Sequence, residues 1–312
     1  MSGSSALPKF RPKAPEVKVQ KVTARSAFGP AERIANIRVA ALRGLPQMPT
    51  IGEHGETMAI AGYGPSLLRS LPELAREAAH VWTVSGAHDV LLDAGIRTRG
   101  HIEADPRPHK ARFLSRPQKD VCYLLASACG PESFRALEGA DVRIWHVLST
   151  VDETEEIKRL WPDAFLLRAG TNVGISAIAV GFALGYRRFR LYGIDCSFSA
   201  SRRILEWPKE EPLPILLRQE IGFHAGPHAN EDQAPLRITI PGDPPRTFIT
   251  SPQMLQAAQD FIELYSVHPE MKLELRGDGM LPALIAALDA GLLGAEPVPF
   301  GEPGSGRVTF AI

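Results

Sequence analysis

The chain has 312 residues, 44% of them hydrophobic and 22% charged, enough to bury a full core and too apolar for a disordered chain. Its 35 basic and 35 acidic side chains cancel, so no global charge draws it to nucleic acid or to an anionic membrane. No run reaches the roughly 18 consecutive apolar residues of a membrane span, and the three cysteines, Cys122, Cys129 and Cys196, lack the spacing of a zinc site or disulfide framework.

From Met1 to about Val22 the sequence alternates Lys, Pro, Ser and other polar residues, the pattern of a flexible arm. It lacks the apolar centre of a secretory signal, which gives an expectation of a cytoplasmic protein. Ile34, Ile37, Val39, Leu42 and Leu45 have helical spacing and predict a leading helix over 31–45, before a linker from Pro46 to Glu56. Strand-like apolar runs then recur at 58–61, 81–84, 101–104, 121–126, 142–148, 165–167 and 189–194, with helical patterns between most of them. That alternation predicts an α/β, Rossmann-like fold, a mostly parallel sheet with helices on both faces. Ligands of such sheets sit beyond the carboxyl ends of the strands. After Phe198 come a Pro-rich segment, a His-bearing stretch and two short strands at 236–240 and 247–250, read as a β-hairpin. A helix opened by Ser251-Pro252, a late strand at 272–275 and a helix from Met280 to Ala290 complete the C-terminal part. The expected division is an arm, helix and linker over 1–57, a nucleotide-binding core over 58–200, and a lid, hairpin and helices over 201–312 that complete the same domain.

The run Ile60-Ala61-Gly62-Tyr63-Gly64-Pro65-Ser66-Leu67 reads as a strand entering a glycine turn and then a helix. Exposed amides and the positive end of a helix dipole favour an anion there, so Gly62, Gly64, Pro65 and Ser66 are candidate phosphate contacts; an ordinary strand-to-helix turn is the alternative. A second turn of this kind, Gly170-Thr171-Asn172-Val173-Gly174, offers hydroxyl and amide groups for phosphate, ribose or base, or Thr171 simply caps the following helix. Ser85 and Gly86 end the second strand and are candidate nucleotide contacts lining the same cleft. Asp105, before Pro106, and Asp195 stand at strand ends, where a carboxylate can hold a ribose hydroxyl, act through Mg²⁺, or merely stabilise its turn. His224 and His228 flank Gly226-Pro227 in a loop-like segment and could supply a proton to or from the reacting phosphate ester, with His146 as competitor. No G-x-S-x-G elbow is present, and the acid expected about 20 residues beyond the glycines of a dinucleotide fold is missing near Val81–Val84.

Taken in order with Val84-Ser85-Gly86-Ala87-His88, Ile102-Glu103-Ala104-Asp105-Pro106-Arg107, Trp145-His146 and Tyr192-Gly193-Ile194-Asp195-Cys196-Ser197-Phe198, these turns resemble the MptE-like family. That family takes its name from archaeal 6-hydroxymethylpterin diphosphokinase, includes the bacterial flagellar motility accessory factors, and is similar to the CMP-sialic-acid-using sialyltransferases in its glycine turn. The likeness covers roughly Met58 to Phe198; beyond it, His224–His228 and Arg276–Pro282 resemble pieces of shorter, phage-type members. Tyr63 stands where Asn is common, and Ala169 where Gly often is. The resemblance implies a nucleotide-dependent transferase of the diphosphokinase type using ATP with Mg²⁺ at Asp105 and Asp195. A glycosyltransferase using a CMP-activated sugar is its alternative. A third expectation is a non-catalytic nucleotide-binding or phage-associated accessory protein, with Tyr63 partly filling the pocket. Small-molecule nucleotides are the implied partners, and an oligomer is possible through 208–214 and the late helices.

Overall fold

The computed structural model describes residues 28–77, 80–199 and 236–293, so the N-terminal arm and the segment bearing His224 and His228 lie outside the described residues. In chain order the strands are β1 (Thr57–Ala61), β2 (Val81–Val84), β3 (Gly100–Glu103), β4 (Cys122–Ala126), β5 (Asp141–Val147), β6 (Leu166–Leu167), β7 (Arg188–Tyr192), β8 (Leu236–Ile240), β9 (Arg246–Thr250) and β10 (Lys272–Leu275). Eight of them form a parallel sheet in the order β10-β7-β1-β2-β3-β4-β5-β6, and β8 and β9 pair as an antiparallel hairpin. The chain therefore adds strands to one side of β1 as far as β6, then returns to the other side for β7 and β10. The carboxyl ends of β1 and β7 flank that reversal, the usual place for a ligand in an open α/β sheet.

Both faces of the central strands are covered, which is why they read as nearly continuous apolar runs. Met58 and Ile60 of β1 pack into one core while Ala59 and Ala61 face a second, as strand alternation dictates. The second core is closed by helices α2 (Leu67–Arg76) and α3 (Ala87–Asp93), through Leu67, Leu74, Ala87 and Leu91. The leading helix α1 (Pro30–Ala41) stops four residues before the predicted end, and Leu42, 88% exposed, has nothing to pack on. Pro46–Glu56 is fixed in place, with Met48 donating to the Ile144 carbonyl (2.7 Å) and Ile51 to that of Ala183 (2.9 Å). After α4 (Pro131–Ala136) and α5 (Val151–Leu160), helix α6 (Val173–Ala183) carries the chain from the β6 edge back to β7, and its burial on almost every side matches its nearly unbroken apolar sequence. Two more helices follow β9: α7 (Pro252–Val267), capped by Ser251 as its sequence predicts, and α8 (Met280–Asp289). The late strand β10 joins the main sheet beside β7. Among the described residues no helix is long and apolar enough to cross a membrane.

Candidate functional site

The first glycine turn leaves β1 alongside the exit of β7. Gly62 and Gly64 donate their amides to the Tyr192 (2.7 Å) and Gly193 (2.8 Å) carbonyls. Ser66, just before α2, donates its backbone N–H to Oδ2 of Asp195 (2.8 Å) and its hydroxyl to Oδ1 (2.7 Å). Pro65, between them, is exposed. The anion favoured at this helix start is thus met from within the chain, by a carboxylate that is only 2% exposed. Burial pushes the Asp195 carboxyl above its usual range, and the two Ser66 hydrogen bonds oppose that shift. The loop after β10 closes over the same carboxylate: Leu281 donates to the Asp195 carbonyl (2.9 Å) and Met280 to the Ser197 hydroxyl (3.1 Å). Arg69 and Arg246 both reach Asp278 in that loop.

The structure brings the two glycine turns together. A side chain on Gly62 or on Gly174 would meet the same atom, Cδ1 of Ile194, at 2.5 and 2.7 Å. Asn172, not Thr171, caps α6, its Oδ1 accepting from the Ile175 amide (2.9 Å). Thr171 instead gives both its amide and its hydroxyl to Oδ2 of Asp260 on α7, at 2.5 Å each. Each turn therefore carries a carboxylate on the groups a phosphate would use. Gly170 packs against Ile175 beside that contact.

Ser85 follows β2 with a positive φ of 49°, a strained conformation for a residue with a side chain; Cys196 after β7 has φ 50°. Gly86 is covered by the ring of Tyr63, whose carbons lie 2.8–2.9 Å from where a Cβ would stand. His88, on α3, is buried against His101 and Tyr123, with its Nε2 3.2 Å from the Arg116 carbonyl. Burial holds both imidazoles below their ordinary range. His146 is likewise buried, between the Ser127 hydroxyl and Gln47 Oε1 (3.1 Å each), and burial with the Lys158 charge lowers its pKa to about 4. Neither His88 nor His146 faces open space.

Asp105 accepts from the Arg107 amide (3.0 Å) and from its guanidinium Nε (2.8 Å) and Nη2 (2.5 Å), with Lys110 Nζ at 3.4 Å. Burial works to raise this carboxyl, but the Arg107 hydrogen bonds and the Lys110 charge outweigh it and hold it below the usual carboxylate range. Among the described residues no group of three or more His, Cys, Asp or Glu is arranged to hold a metal ion. A cation at Asp105 would have to displace Arg107, and one at Asp195 would have to enter a closed site. Three features escape sequence reasoning. Asp260 lies 89 residues from its partner, with no local signal. Glu103 is fully buried at the end of β3; its Oε1 accepts from the Ala104 and Asp105 amides while Oε2 has no partner, and burial raises its pKa. An acid inside an apolar strand run was the available sign. The third is a 3₁₀ helix, Pro108–Leu114, which places Phe113 against Tyr63 and sets Lys110 and Arg112 at the Phe113 ring.

No curated protein sequence is detectably similar to the chain. Among solved structures, the MAf glycosyltransferase from Magnetospirillum magneticum AMB-1 superposes with a TM-score of 0.54 at 14% identity, over 85% of this chain. This chain spans 43% of that protein, so the likeness is one of fold. The family model described as 6-hydroxymethylpterin diphosphokinase MptE-like matches residues 34–201, just over half of the sequence, from α1 through both glycine turns to the exit of β7, and the chain belongs to that family.

Proposed function

We propose that this protein is a nucleotide-dependent transferase whose donor lies across the carboxyl ends of β1, β2 and β3 and against the turn before α6. The observation that carries this reading is the convergence of the two glycine turns on Ile194, beside the reversal in strand order. Ser85, held at positive φ, and the Arg107–Arg112 segment border the same strand ends. Phosphoryl and glycosyl transfer from a nucleotide rest mainly on positioning and on stabilising the charge of the phosphates, which fixed cations can do. Arg107 and Lys110 are such groups, and the proposed chemistry uses no metal, because Asp105 and Asp195 are already engaged by protein donors. Those engagements favour the CMP-sugar donor over the Mg²⁺-dependent triphosphate.

A second reading is favoured by the occupied Ser66 donors and by Tyr63 lying over Gly86: a chain that keeps the fold without turnover. Calorimetric titration with CMP, CDP, CTP, ATP and GTP, with Mg²⁺ and with EDTA, separates these. Metal-independent binding of a cytidine nucleotide is the expected result, and a ligand at 100 times its Kd should stabilise the fold by about 2.7 kcal/mol. Binding of triphosphates only with Mg²⁺ would restore the diphosphokinase donor; no binding of any nucleotide would leave the non-catalytic reading.

A further inference from the structure

We propose that Tyr63 and Phe113 form an aromatic shelf for the base of the nucleotide, with Lys110 and Arg112 beside it taking the phosphate charge. This rests on the nucleotide reading above and assigns its recognition to residues outside the glycine turns. The turns themselves have little left to donate, since Ser66 serves Asp195 and Thr171 serves Asp260. Cationic and aromatic groups are instead concentrated on the 3₁₀ segment. Tyr63 is 58% exposed although it stands two residues beyond a strand that is buried from Met58 to Ala61, and its ring meets Phe113 edge-on, with centroids 5.7 Å apart and planes at 63°. Lys110 Nζ lies 5.3 Å and Arg112 Cζ 4.7 Å from the Phe113 centroid. Arg112 is exposed and has no carboxylate partner among the described residues, while Arg107 and Lys110 share the single carboxylate of Asp105. The local field is positive: the His109 imidazolium is disfavoured by burial first and then by Arg107 and Lys110. An exposed tyrosine face together with Arg112, which has no carboxylate partner among the described residues, and two cations that share one carboxylate suit a ligand that joins an aromatic base to a phosphate.

A Tyr63 that carries the base and a Tyr63 that fills the pocket give opposite signs for one substitution. If Tyr63 fills the pocket, Tyr63→Asn strengthens nucleotide binding; if Tyr63 carries the base, Tyr63→Leu and Tyr63→Asn weaken it by roughly ten-fold or more while Tyr63→Phe retains it. The test is calorimetry of the full chain with CMP and with ribose 5-phosphate, which has the phosphate and no base. Tyr63→Leu should weaken CMP only, whereas Arg112→Gln should weaken both and flatten the salt dependence. Unchanged CMP affinity in Tyr63→Leu, or a gain in Tyr63→Asn, overturns the shelf with nucleotide binding intact. No CMP binding by the wild-type chain defeats the nucleotide reading and the shelf with it. Melting temperatures of the free variants report their folding, which substitution of these surface rings should barely alter.

Discussion

At Gly64 a side chain would be driven into Oδ2 of Asp195 and the Gly193 carbonyl, one a buried carboxylate and the other main chain. At Gly86 the nearest atoms it would meet belong to the Tyr63 ring, an exposed side chain that can swing aside. The same substitution should therefore cost differently at two positions that look alike in sequence. Gly64→Ala is expected to lose about 1–3 kcal/mol in urea denaturation and Gly86→Ala less than about 1 kcal/mol. Equal costs would mean that the first turn is not held by Asp195. Which glycine is tight could not be read locally, because the collision partners of Gly64 come from residues about 130 positions along the chain.

Among the elements, α1 is held to α5 by charge as well as by packing. Arg33 donates to Glu153 from Nε (3.0 Å) and Nη2 (2.6 Å), and Arg38 pairs with Glu156 at 2.6 Å. The Glu153 side chain is 3% exposed and also accepts from the Thr150 hydroxyl, so removing Arg33 leaves a buried carboxylate with less compensation. Arg33→Ala should cost about 1.5–3 kcal/mol and release amide protection across 30–41 in hydrogen exchange; protection unchanged there would show that apolar packing alone docks the helix. The elements were legible where burial imposes a simple period. The strands β1, β2 and β4 are apolar because both sides are covered, and Ser251-Pro252 announces α7. The place of β10 beside β7 was not legible, since Lys272-Leu273-Glu274-Leu275 alternates like any edge strand and its partner is fixed by the whole sheet. The 3₁₀ helix escaped because seven residues opened by Pro108 carry no helical period.

For the whole molecule, buried neutral histidines set a direction for acid stability. His101 and His146 have folded-state pKa values below the unfolded 6.5, the latter about 4. A depressed value means that the unfolded chain takes up protons first, so their contribution is complete above pH 6.5 and is lost as pH falls toward 4, by at most about 1.4 kcal/mol per unit for each group. Asp195 and Glu103, raised by burial, act in the opposite direction. The His146 share is isolated by comparing urea stability at pH 7 and pH 5 in wild type and His146→Gln: the variant should lose less on acidification, and an identical loss would mean that His146 is not buried neutral.

The candidate site was legible in outline and not in its contacts. Both glycine turns, Ser85, Asp105 and Asp195 lie at carboxyl ends as their neighbours in sequence require, yet Asp195 on Ser66 and Asp260 on Thr171 are meetings of distant segments. The proposed nucleotide site lies at the carboxyl ends of β1–β3 with the turn before α6. Hydrogen exchange with and without saturating CMP tests it most directly. Added protection at residues 62–67, 105–113 and 170–175 is the predicted result, and protection confined to other segments, or none, would contradict it.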